Sequence, residues 1–181
     1  MTMPTVPDAP TPTVSPTGFA PPVQASLSLG VVGNCAFSAL IDPQGRVVWS
    51  CLPRFDGDPV FHALLGGEDG AGEFAIEIEN LAGSRQYYAP NTAVLHTELW
   101  DHEGQTLLIT DFAPRFPSRG RFFRPTMLVR RVRPIKGAPR IRVRLTPRFH
   151  WGAQKPTITS GSNHIRFVGD AFTLRLQTDA S

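Results

Sequence analysis

The stretch that decides the fold is residues 92–112, which reads TAVLHTELWDHEGQTLLITDF. Residues 92–100 and residues 105–112 flank DHEG at 101–104, in a chain where alternation of apolar and polar residues, rather than a helical period, dominates after residue 24. Alternation with a period of two is typical of a strand that has one dry face and one wet face. In the turn, Asp101 can accept hydrogen bonds, and Gly104 can take the left-handed conformation that closes it. The stretch therefore predicts an antiparallel hairpin.

The same pattern recurs on both sides of this hairpin. Upstream, residues 42–45 read DPQG and repeat the Asp-x-x-Gly turn. Downstream, residues 141–145 (IRVRL) alternate cleanly and should have one dry face, and residues 165–167 and 172–176 alternate around Gly169-Asp170. Such short, regularly punctuated segments predict an all-β fold, an antiparallel β-sandwich of two packed sheets, with a closed barrel as the alternative.

Breaks in the pattern give expected boundaries between elements. The segment PIKGAP at residues 134–139 should separate a strand at 127–133 from one at 140–145. Only residues 60–65 are expected to form a short helical turn, which would end at Gly66-Gly67.

Length and composition suit one domain with an appendage. Of 181 residues, 41% are hydrophobic and 18% charged, which is enough apolar material for a core. Residues 1–24 are rich in Pro and Thr and are expected to be a flexible leader, so residues 25–181 would form the sandwich. The last strand candidate ends near Ser181. We therefore expect an open edge where the sandwich is incomplete, or where another segment or a homo-oligomer covers it.

Several classes of protein are disfavoured. No apolar run approaches the roughly 20 residues that span a bilayer, so a membrane protein is excluded. The amino terminus lacks the basic start and apolar stretch of a secretory signal, which favours a cytoplasmic location. Cys35 and Cys51 lie on the two arms of the first hairpin without good disulfide geometry, and we predict two buried free thiols. No zinc-site spacing, nucleotide loop or Ser/His/Asp set stands out, so we expect neither metal nor cofactor.

Charge is unevenly distributed along the chain. The net charge is only +3, yet there is no acidic residue between Asp111 and Asp170, while acids crowd between Asp42 and Asp111. The preferred interpretation is that the two halves neutralise each other in space, because strand-face arginines need only cover apolar stems. The alternative is a positive face for an acidic partner, either a protein domain or a polyanion.

The segment densest in chemistry is residues 49–61, WSCLPRFDGDPVF, which becomes a loop at Pro53. The loop supplies a planar cation, an aromatic ring and two carboxylates: Arg54, Phe55, Asp56 and Asp58. Such groups can hold sugar hydroxyls and stack on apolar sugar faces. The alternative, which composition alone favours, is a structural loop in which Arg54 pairs with an aspartate while Phe55 and Phe61 anchor it. Asp56 and Asp58 are not assigned as a catalytic pair, because nothing shows that they face a common cleft.

A second cluster, PRFHWG at residues 147–152, directly follows a predicted strand. Trp151 could stack on a sugar and His150 could donate a hydrogen bond to it, with Arg148 beside them. The alternative is an aromatic corner that caps the sandwich.

At these motifs the chain resembles the amino-terminal domain of glycoside hydrolase family 15 proteins, the bacterial and archaeal glucoamylase, glucodextranase and trehalase relatives. The matching segments follow the family order: LGVVGNC at 29–35, WSCLPRFD at 49–56, YYAPNT at 87–92, TDFAPR at 110–115 and PRF at 147–149. The resemblance implies a β-supersandwich that packs against a separate helical (α/α)6 barrel. In that family the barrel holds both catalytic glutamates of an inverting hydrolase, so no catalytic residue is expected in this chain.

The resemblance also implies a role and a set of site residues. The implied role is a non-catalytic domain that supports and docks on the barrel, with an α-glucoside sugar as a possible neighbour. The candidates for the sugar pocket or domain interface are Asn34, Arg54, Phe55, Asp56, Asp58, Arg148, His150 and Trp151. Three departures from the family pattern fall at these positions: Asn34 replaces the usual Asp, Gly57-Asp58 replaces Ser-Pro, and His150-Trp151 replaces Asp-Tyr. The alternatives are a stand-alone carbohydrate-binding module and a polyanion-binding β domain, although nucleic acid is not an expected partner.

Overall fold

The computed structural model describes residues 18–19, 27–66 and 70–179, and this part of the chain is all-β. A single 3-10 turn, Ala63–Leu65, is the only helical element there. The strands are β1 (Gly30–Gly33), β2 (Ser38–Ile41), β3 (Val47–Cys51), β4 (Pro59–Phe61), β5 (Phe74–Ile78), β6 (Leu81–Tyr88), β7 (Leu95–Asp101), β8 (Thr106–Phe112), β9 (Phe116–Ser118), β10 (Arg121–Phe123), β11 (Val129–Lys136), β12 (Ile141–Leu145), β13 (Thr157–Ser160), β14 (His164–Val168) and β15 (Thr173–Gln177).

Two large antiparallel sheets form the body of the molecule. The six-stranded sheet has the order β1-β2-β3-β5-β12, with β4 paired to β3, and the four-stranded sheet has the order β11-β8-β7-β6. A three-stranded sheet, β13-β14-β15, and the hairpin β9-β10 complete the described part. None of these sheets closes into a barrel within the described residues. The predicted antiparallel β-sandwich is therefore confirmed.

The core lies between the two large sheets. One cluster joins Ile76 and Ile78 of β5 to Leu99 of β7 and to Leu107 and Ile109 of β8. A second cluster forms around β1, β2, β3 and β4 and takes in Leu95 and Phe149. Burying each such side chain contributes about 1.5–3 kcal/mol, so these inward faces hold the sheets together.

Both Asp-x-x-Gly turns form as predicted. In the first, Asp42 Oδ1 accepts hydrogen bonds from the backbone N–H groups of Gln44 (3.0 Å) and Arg46 (2.9 Å). The turn at residues 101–104 repeats both bonds, at 2.9 and 2.8 Å. The glycine that closes each turn has φ of 76°, a conformation that side chains with a Cβ disfavour.

The expectation of a dry face on residues 141–145 holds only at Leu145, which packs against the second core cluster, and is wrong for Ile141 and Val143. Val143 is the register partner of the buried Ile76, so it points to the core side of the sheet, yet it is 53% exposed. Ile141 is exposed as well. These two side chains are exposed because β12 is the outermost strand of its sheet, and no described element covers this part of its face. Alternation fixes the side to which a residue points but not whether that side is covered.

Two predicted boundaries also shift. The strand expected to end at Arg133 continues through Pro134 to Lys136 as β11. Proline is tolerated there because β11 is an edge strand, where a missing N–H breaks no ladder bond. The helical turn expected over residues 60–65 is limited to Ala63–Leu65, because Phe61 pairs with Ser50 across β4 and β3.

Both cysteines are free, as predicted, but the expectation that both are buried is wrong. Cys35 is exposed and Cys51 is partly exposed. Cys35 lies in the turn after β1 with φ of 67°, outside the strand pattern from which burial was inferred. Burial still raises the pKa of the Cys51 thiol, and the negative charge of Asp58 acts in the same direction.

The expected leader, residues 1–24, lies outside the described residues except for Gly18 and Phe19. Gly18 N–H donates to Asn80 Oδ1 at 2.8 Å, and the guanidinium of Arg142 lies 4.3 Å from the centre of the Phe19 ring. Among the described residues, no helix has the length and apolar character needed to cross a bilayer.

The two charged halves meet across the pair β5 and β12. Arg142 contacts Glu77 at 2.5 Å, and Arg144 contacts Glu77 at 2.8 Å and Glu73 at 2.6 Å. The interpretation that basic and acidic halves neutralise each other therefore holds for this part of the surface. It does not hold for the hairpin β9-β10, whose charges form part of the site below.

Candidate functional site

The loop between β3 and β4, residues 52–58, is held at its ends and exposed in its middle. The buried Leu52 donates its N–H to the Asp58 carbonyl at 3.4 Å, and Gly57 N–H donates to the Arg54 carbonyl at 3.1 Å. Phe55 points away from the core and is mostly exposed. The loop therefore presents its side chains outward on a short, closed backbone turn.

Arg54 and Asp56 form an ion pair at the tip of this loop. Their side chains approach to 3.0 Å and are 76% and 70% exposed. Exposed pairs of this kind contribute only about 0–1 kcal/mol, so the fold does not depend on this contact. The structural-loop alternative is thus correct for the pairing of Arg54 and for the buried Phe61, but not for Phe55 as an anchor.

The second loop, residues 147–154, follows β12 and projects His150 and Trp151. Phe149 is buried edge-on against Phe172, with ring centres 5.1 Å apart, and exchanges two backbone hydrogen bonds with Gln154. Between these anchors, His150 and Trp151 have φ of 49° and 57°. The left-handed conformation costs about 1–2 kcal/mol for each residue with a Cβ, so the surrounding contacts hold both residues in place.

Arg148 and Gly152 attach this loop to the neighbouring one. Arg148 N–H donates to the Val60 carbonyl of β4 at 3.1 Å. Gly152 has φ of 95°, and a Cβ there would lie 2.9 Å from Nε2 of the buried His62. Only glycine allows the loop to approach β4 this closely.

His150 lies between two carboxylates from different loops. Its Nδ1 is 3.8 Å from Asp58 Oδ2, and its Nε2 is 3.7 Å from Asp170 Oδ2 in the β14–β15 turn. Gln154 Nε2 also donates to Asp170 Oδ2, at 3.1 Å. These distances place parts of three loops around one imidazole.

Trp151 provides the largest exposed aromatic face of this surface. It is 61% exposed and packs edge-on against Trp49 at 6.4 Å between ring centres. An exposed ring next to His150, whose imidazole faces two carboxylates, suits binding of a polyhydroxylated ligand or of another protein surface.

Asn34 does not belong to the exposed surface. It is only 2% exposed, and its Oδ1 accepts from Ala36 N–H at 3.0 Å. Its amide nitrogen donates to the carbonyls of Pro114 at 2.9 Å and Pro125 at 2.7 Å. These two prolines flank the hairpin β9-β10, so Asn34 closes the base of that hairpin. A carboxylate cannot donate these two bonds.

Sequence reasoning missed the hairpin β9-β10 as part of this site. Its exposed side chains are Phe116, Arg119, Arg121, Phe122 and Phe123. Just after the hairpin, Thr126 Oγ1 donates to the Pro53 carbonyl at 3.4 Å, so the hairpin base adjoins the loop at 52–58. The segment FPSRGRFF, in which three aromatics surround an Arg-Gly turn, was the available signal. We call the surface formed by residues 52–58, 115–127 and 148–154 the loop surface.

The two carboxylates of the loop at 52–58 have separate neighbours within the loop surface. Asp56 pairs with Arg54 and Asp58 faces His150, so these two carboxylates have different partners. Across the described residues, no three His, Cys, Asp or Glu side chains lie close enough together to hold a metal ion.

Comparison with known proteins gives consistent matches. The family model described as Trehalase-like, N-terminal, matches residues 20–180. Trehalase 1 of Sulfolobus acidocaldarius is 32% identical over 145 residues, which cover 77% of this chain and 22% of the relative. The trehalase of Thermoplasma volcanium is 28% identical over 159 residues, 83% of this chain and 24% of the relative. The trehalase of Mycolicibacterium smegmatis is 29% identical over 136 residues, 67% of this chain and 20% of the relative.

The matched regions thus span less than a quarter of the length of each of these relatives. No solved structure gives a significant match.

Proposed function

Because this chain belongs to the family of trehalase-like amino-terminal domains, we propose that it is the non-catalytic β-sandwich domain of a trehalase-type α-glucoside hydrolase. In this proposal it supports a separate catalytic (α/α)6 barrel of the glycoside hydrolase family 15 type and docks on it. The support from relatives is that each of the three trehalases is at least four times longer than its matched region.

The observation that carries the proposal is the loop surface. Two of its loops, residues 52–58 and 148–154, approach each other where His150 Nδ1 lies 3.8 Å from Asp58 Oδ2. They expose Phe55 and Trp151 instead of burying them. Large exposed apolar groups gathered at one surface favour an interface with another protein body.

We further propose that Arg54, Asp56 and Asp58 face the sugar site of the catalytic part from across this interface. The exposed Arg54–Asp56 pair contributes little to the fold, so both groups are available to hydrogen-bond sugar hydroxyls. Arg148 would act indirectly, by attaching the loop of His150 and Trp151 to β4.

The first test uses the 181-residue chain in pure form. We expect no turnover of trehalose, maltose or dextrin, and no saturable binding of these sugars by isothermal titration calorimetry. Turnover by the pure chain would refute the non-catalytic assignment. Saturable binding that is lost in Trp151→Ala would instead support the second candidate, a stand-alone carbohydrate-binding module, which the exposed Trp151 beside charged groups favours.

The second test uses the hydrolase that carries this domain. Arg54→Ala or Asp56→Ala should lower activity severalfold while shifting stability by less than about 1 kcal/mol, because the pair is exposed. Arg85→Ala is the control outside the loop, since the exposed Arg85 makes a 2.9 Å ion pair with the less exposed Glu98 on β6 and β7. Parallel losses of activity and stability in the loop variants would mean that the loop is purely structural.

A further inference from the structure

The hairpin β9-β10 combines exposed aromatic rings with arginines. Phe122 is 63% exposed, and Phe116 and Phe123 are about half exposed. Arg119 and Arg121 lie at or beside its two-residue turn, where Arg119 and Gly120 have φ of 49° and 74°. Contiguous exposed apolar groups on a small protein mark interaction sites.

The base of the hairpin is rigidly attached to the sandwich. Asn34 joins its two flanking segments through the carbonyls of Pro114 and Pro125. Beside it, Arg124 Nη1 donates to the Cys35 carbonyl at 3.5 Å and Arg115 Nη1 contacts Cys35 Sγ at 3.2 Å. A pre-organised element loses little conformational freedom on binding, which favours affinity.

Among the described residues, no acidic side chain pairs with the arginines at the turn of the hairpin. Arg130, Arg142 and Arg144 each pair with an acid of the other half of the chain. In the described part of the chain, by contrast, Arg119 and Arg121 form no ion pair. A surface of this kind is complementary to one that carries carboxylates.

The aromatic rings favour a protein partner over a polyanion. Phe116 and Phe123 pack against each other with ring centres 5.2 Å apart. The guanidinium of Arg115 covers Phe122 at 5.1 Å from the ring centre. Stacking of nucleic-acid bases needs open ring faces, whereas an apolar cleft accepts a compact cluster of this kind.

We propose that the hairpin β9-β10 is the docking element that inserts into an apolar cleft, rimmed by carboxylates, on the catalytic part of the same hydrolase. This inference rests on the proposed function, because the occupant is the catalytic part assigned there. The hairpin is continuous with the loop surface through the Thr126–Pro53 contact, so docking it also sets the position of the loop at 52–58. Phe116, Phe122 and Phe123 supply the apolar contact, and Arg119 and Arg121 set the orientation.

The test compares hydrogen exchange in the intact hydrolase with exchange in this 181-residue chain alone. The two-stranded hairpin is exposed throughout, so its backbone N–H groups should exchange quickly in the domain alone. In the intact enzyme, exchange over residues 116–123 should slow by roughly tenfold or more. The double variant Arg119→Glu and Arg121→Glu should lose that protection, and a thermal melt of the isolated chain should show that its fold is kept.

The matched control carries the same charge reversal at Arg133→Glu and Lys136→Glu. A Cβ on Gly104 would lie 3.3 Å from Lys136 Nζ, so these residues lie toward the 101–104 turn, at the end of β11 away from the hairpin. This control should retain the protection of residues 116–123.

Three outcomes would overturn the inference, and they are distinguishable. Protection elsewhere on the domain but not on the hairpin would overturn only this inference. Identical exchange of the domain alone and in the enzyme would overturn the proposed docking as well. The third outcome is that the isolated chain binds heparin or single-stranded DNA, that this binding falls steeply with salt, and that the double variant Arg119→Glu and Arg121→Glu abolishes it. This outcome would assign the hairpin to a polyanion.

Discussion

At the scale of single residues, Asn34 shows how one side chain can set a whole element. Its oxygen accepts from the adjacent backbone, which leaves both amide hydrogens for the carbonyls of Pro114 and Pro125. Two of the three hydrogen bonds of this buried side chain connect it to segments 80 and 91 residues away. Asn34 was expected at a sugar pocket or domain interface. It is buried instead, where it bonds the segments that flank the hairpin β9-β10, the proposed docking element.

We predict that Asn34→Asp destabilises the domain by about 1–3 kcal/mol, because two buried carbonyls lose their donors and face a carboxylate instead. The measurement is the midpoint of urea unfolding, with Asn91→Asp as the control at an exposed position. Equal midpoints for wild type and Asn34→Asp would show that the amide does not hold the hairpin base.

Glu73 is a buried carboxyl group whose environment disfavours the ionised form. It is almost fully buried, and burial raises the pKa of its carboxyl although Arg144 and Arg46 act in the opposite direction. The pKa of Glu73 is therefore higher in the folded protein than in the unfolded chain, and the folded state favours the protonated carboxyl. The stabilisation that protonation of Glu73 contributes is complete below the unfolded-state pKa. It is lost as pH rises through the folded pKa.

This sign gives a pH-dependent prediction for Glu73→Gln, which mimics the protonated form. The stability of the variant relative to wild type should increase as pH rises from the unfolded pKa through the raised folded pKa, and should level off above it. Paired thermal melts across this range measure the difference, with Glu103→Gln as the control at an exposed carboxyl. A relative stability that falls as pH rises would contradict the assigned direction.

At the scale of elements, Arg130 links the two large sheets. From β11 it donates to both oxygens of Asp111 on β8, at 2.8 and 3.1 Å. It also donates to the Phe74 carbonyl of β5 at 2.8 Å and to the Gly45 carbonyl, and its side chain is only 3% exposed. The guanidinium therefore satisfies groups from both sheets at once.

We predict that Arg130→Lys destabilises the domain by about 3–5 kcal/mol although the charge is kept, because an ammonium cannot supply this planar set of donors. Arg131→Lys, one residue along on the exposed face of β11, is the matched control and should change stability by less than about 0.5 kcal/mol. Denaturant unfolding of both variants tests the difference. Similar small effects would show that charge alone is sufficient at position 130.

At the scale of the whole molecule, the outer edges of β1 and β15 differ in whether their backbone groups have a hydrogen-bond partner. Tyr88 hydroxyl accepts from Val31 N–H at 2.7 Å and donates to the Val31 carbonyl at 3.0 Å, so it occupies the outer edge of β1. The outer edge of β15 pairs with no strand in the described part of the chain. An unpaired edge invites association with another chain.

We therefore infer that the isolated chain can form a homo-oligomer through the edge of β15. Sedimentation velocity over a wide range of protein concentration should show a reversible rise in mass, and the N–H groups of residues 173–177 should become protected in the larger species. A constant monomer mass at all concentrations would contradict this inference.

Much of the fold could be predicted from the sequence because its signals are local. The turn at 42–45 and the turn at 101–104 each depend on one Asp and one Gly a few residues apart, and alternation marks strands such as β15. Pairing of Arg54 with Asp56 was likewise predictable from their spacing. The sequence did not predict which residues converge on one surface, because this depends on contacts between loops that are far apart in the chain. The converging residues are Arg54, Asp58, His150 and Trp151.

The sequence by itself determined the two Asp-x-x-Gly hairpins, the alternating strands around residues 165–176 and the family resemblance, since these depend on neighbouring residues and on motifs read in order. Only the tertiary structure decided that Asn34 is buried under a hairpin, that Val143 is uncovered, and that Arg130 joins two sheets. The physical reason is that burial and hydrogen bonding depend on which distant segments come together. A local pattern specifies the direction of a side chain but not its partner.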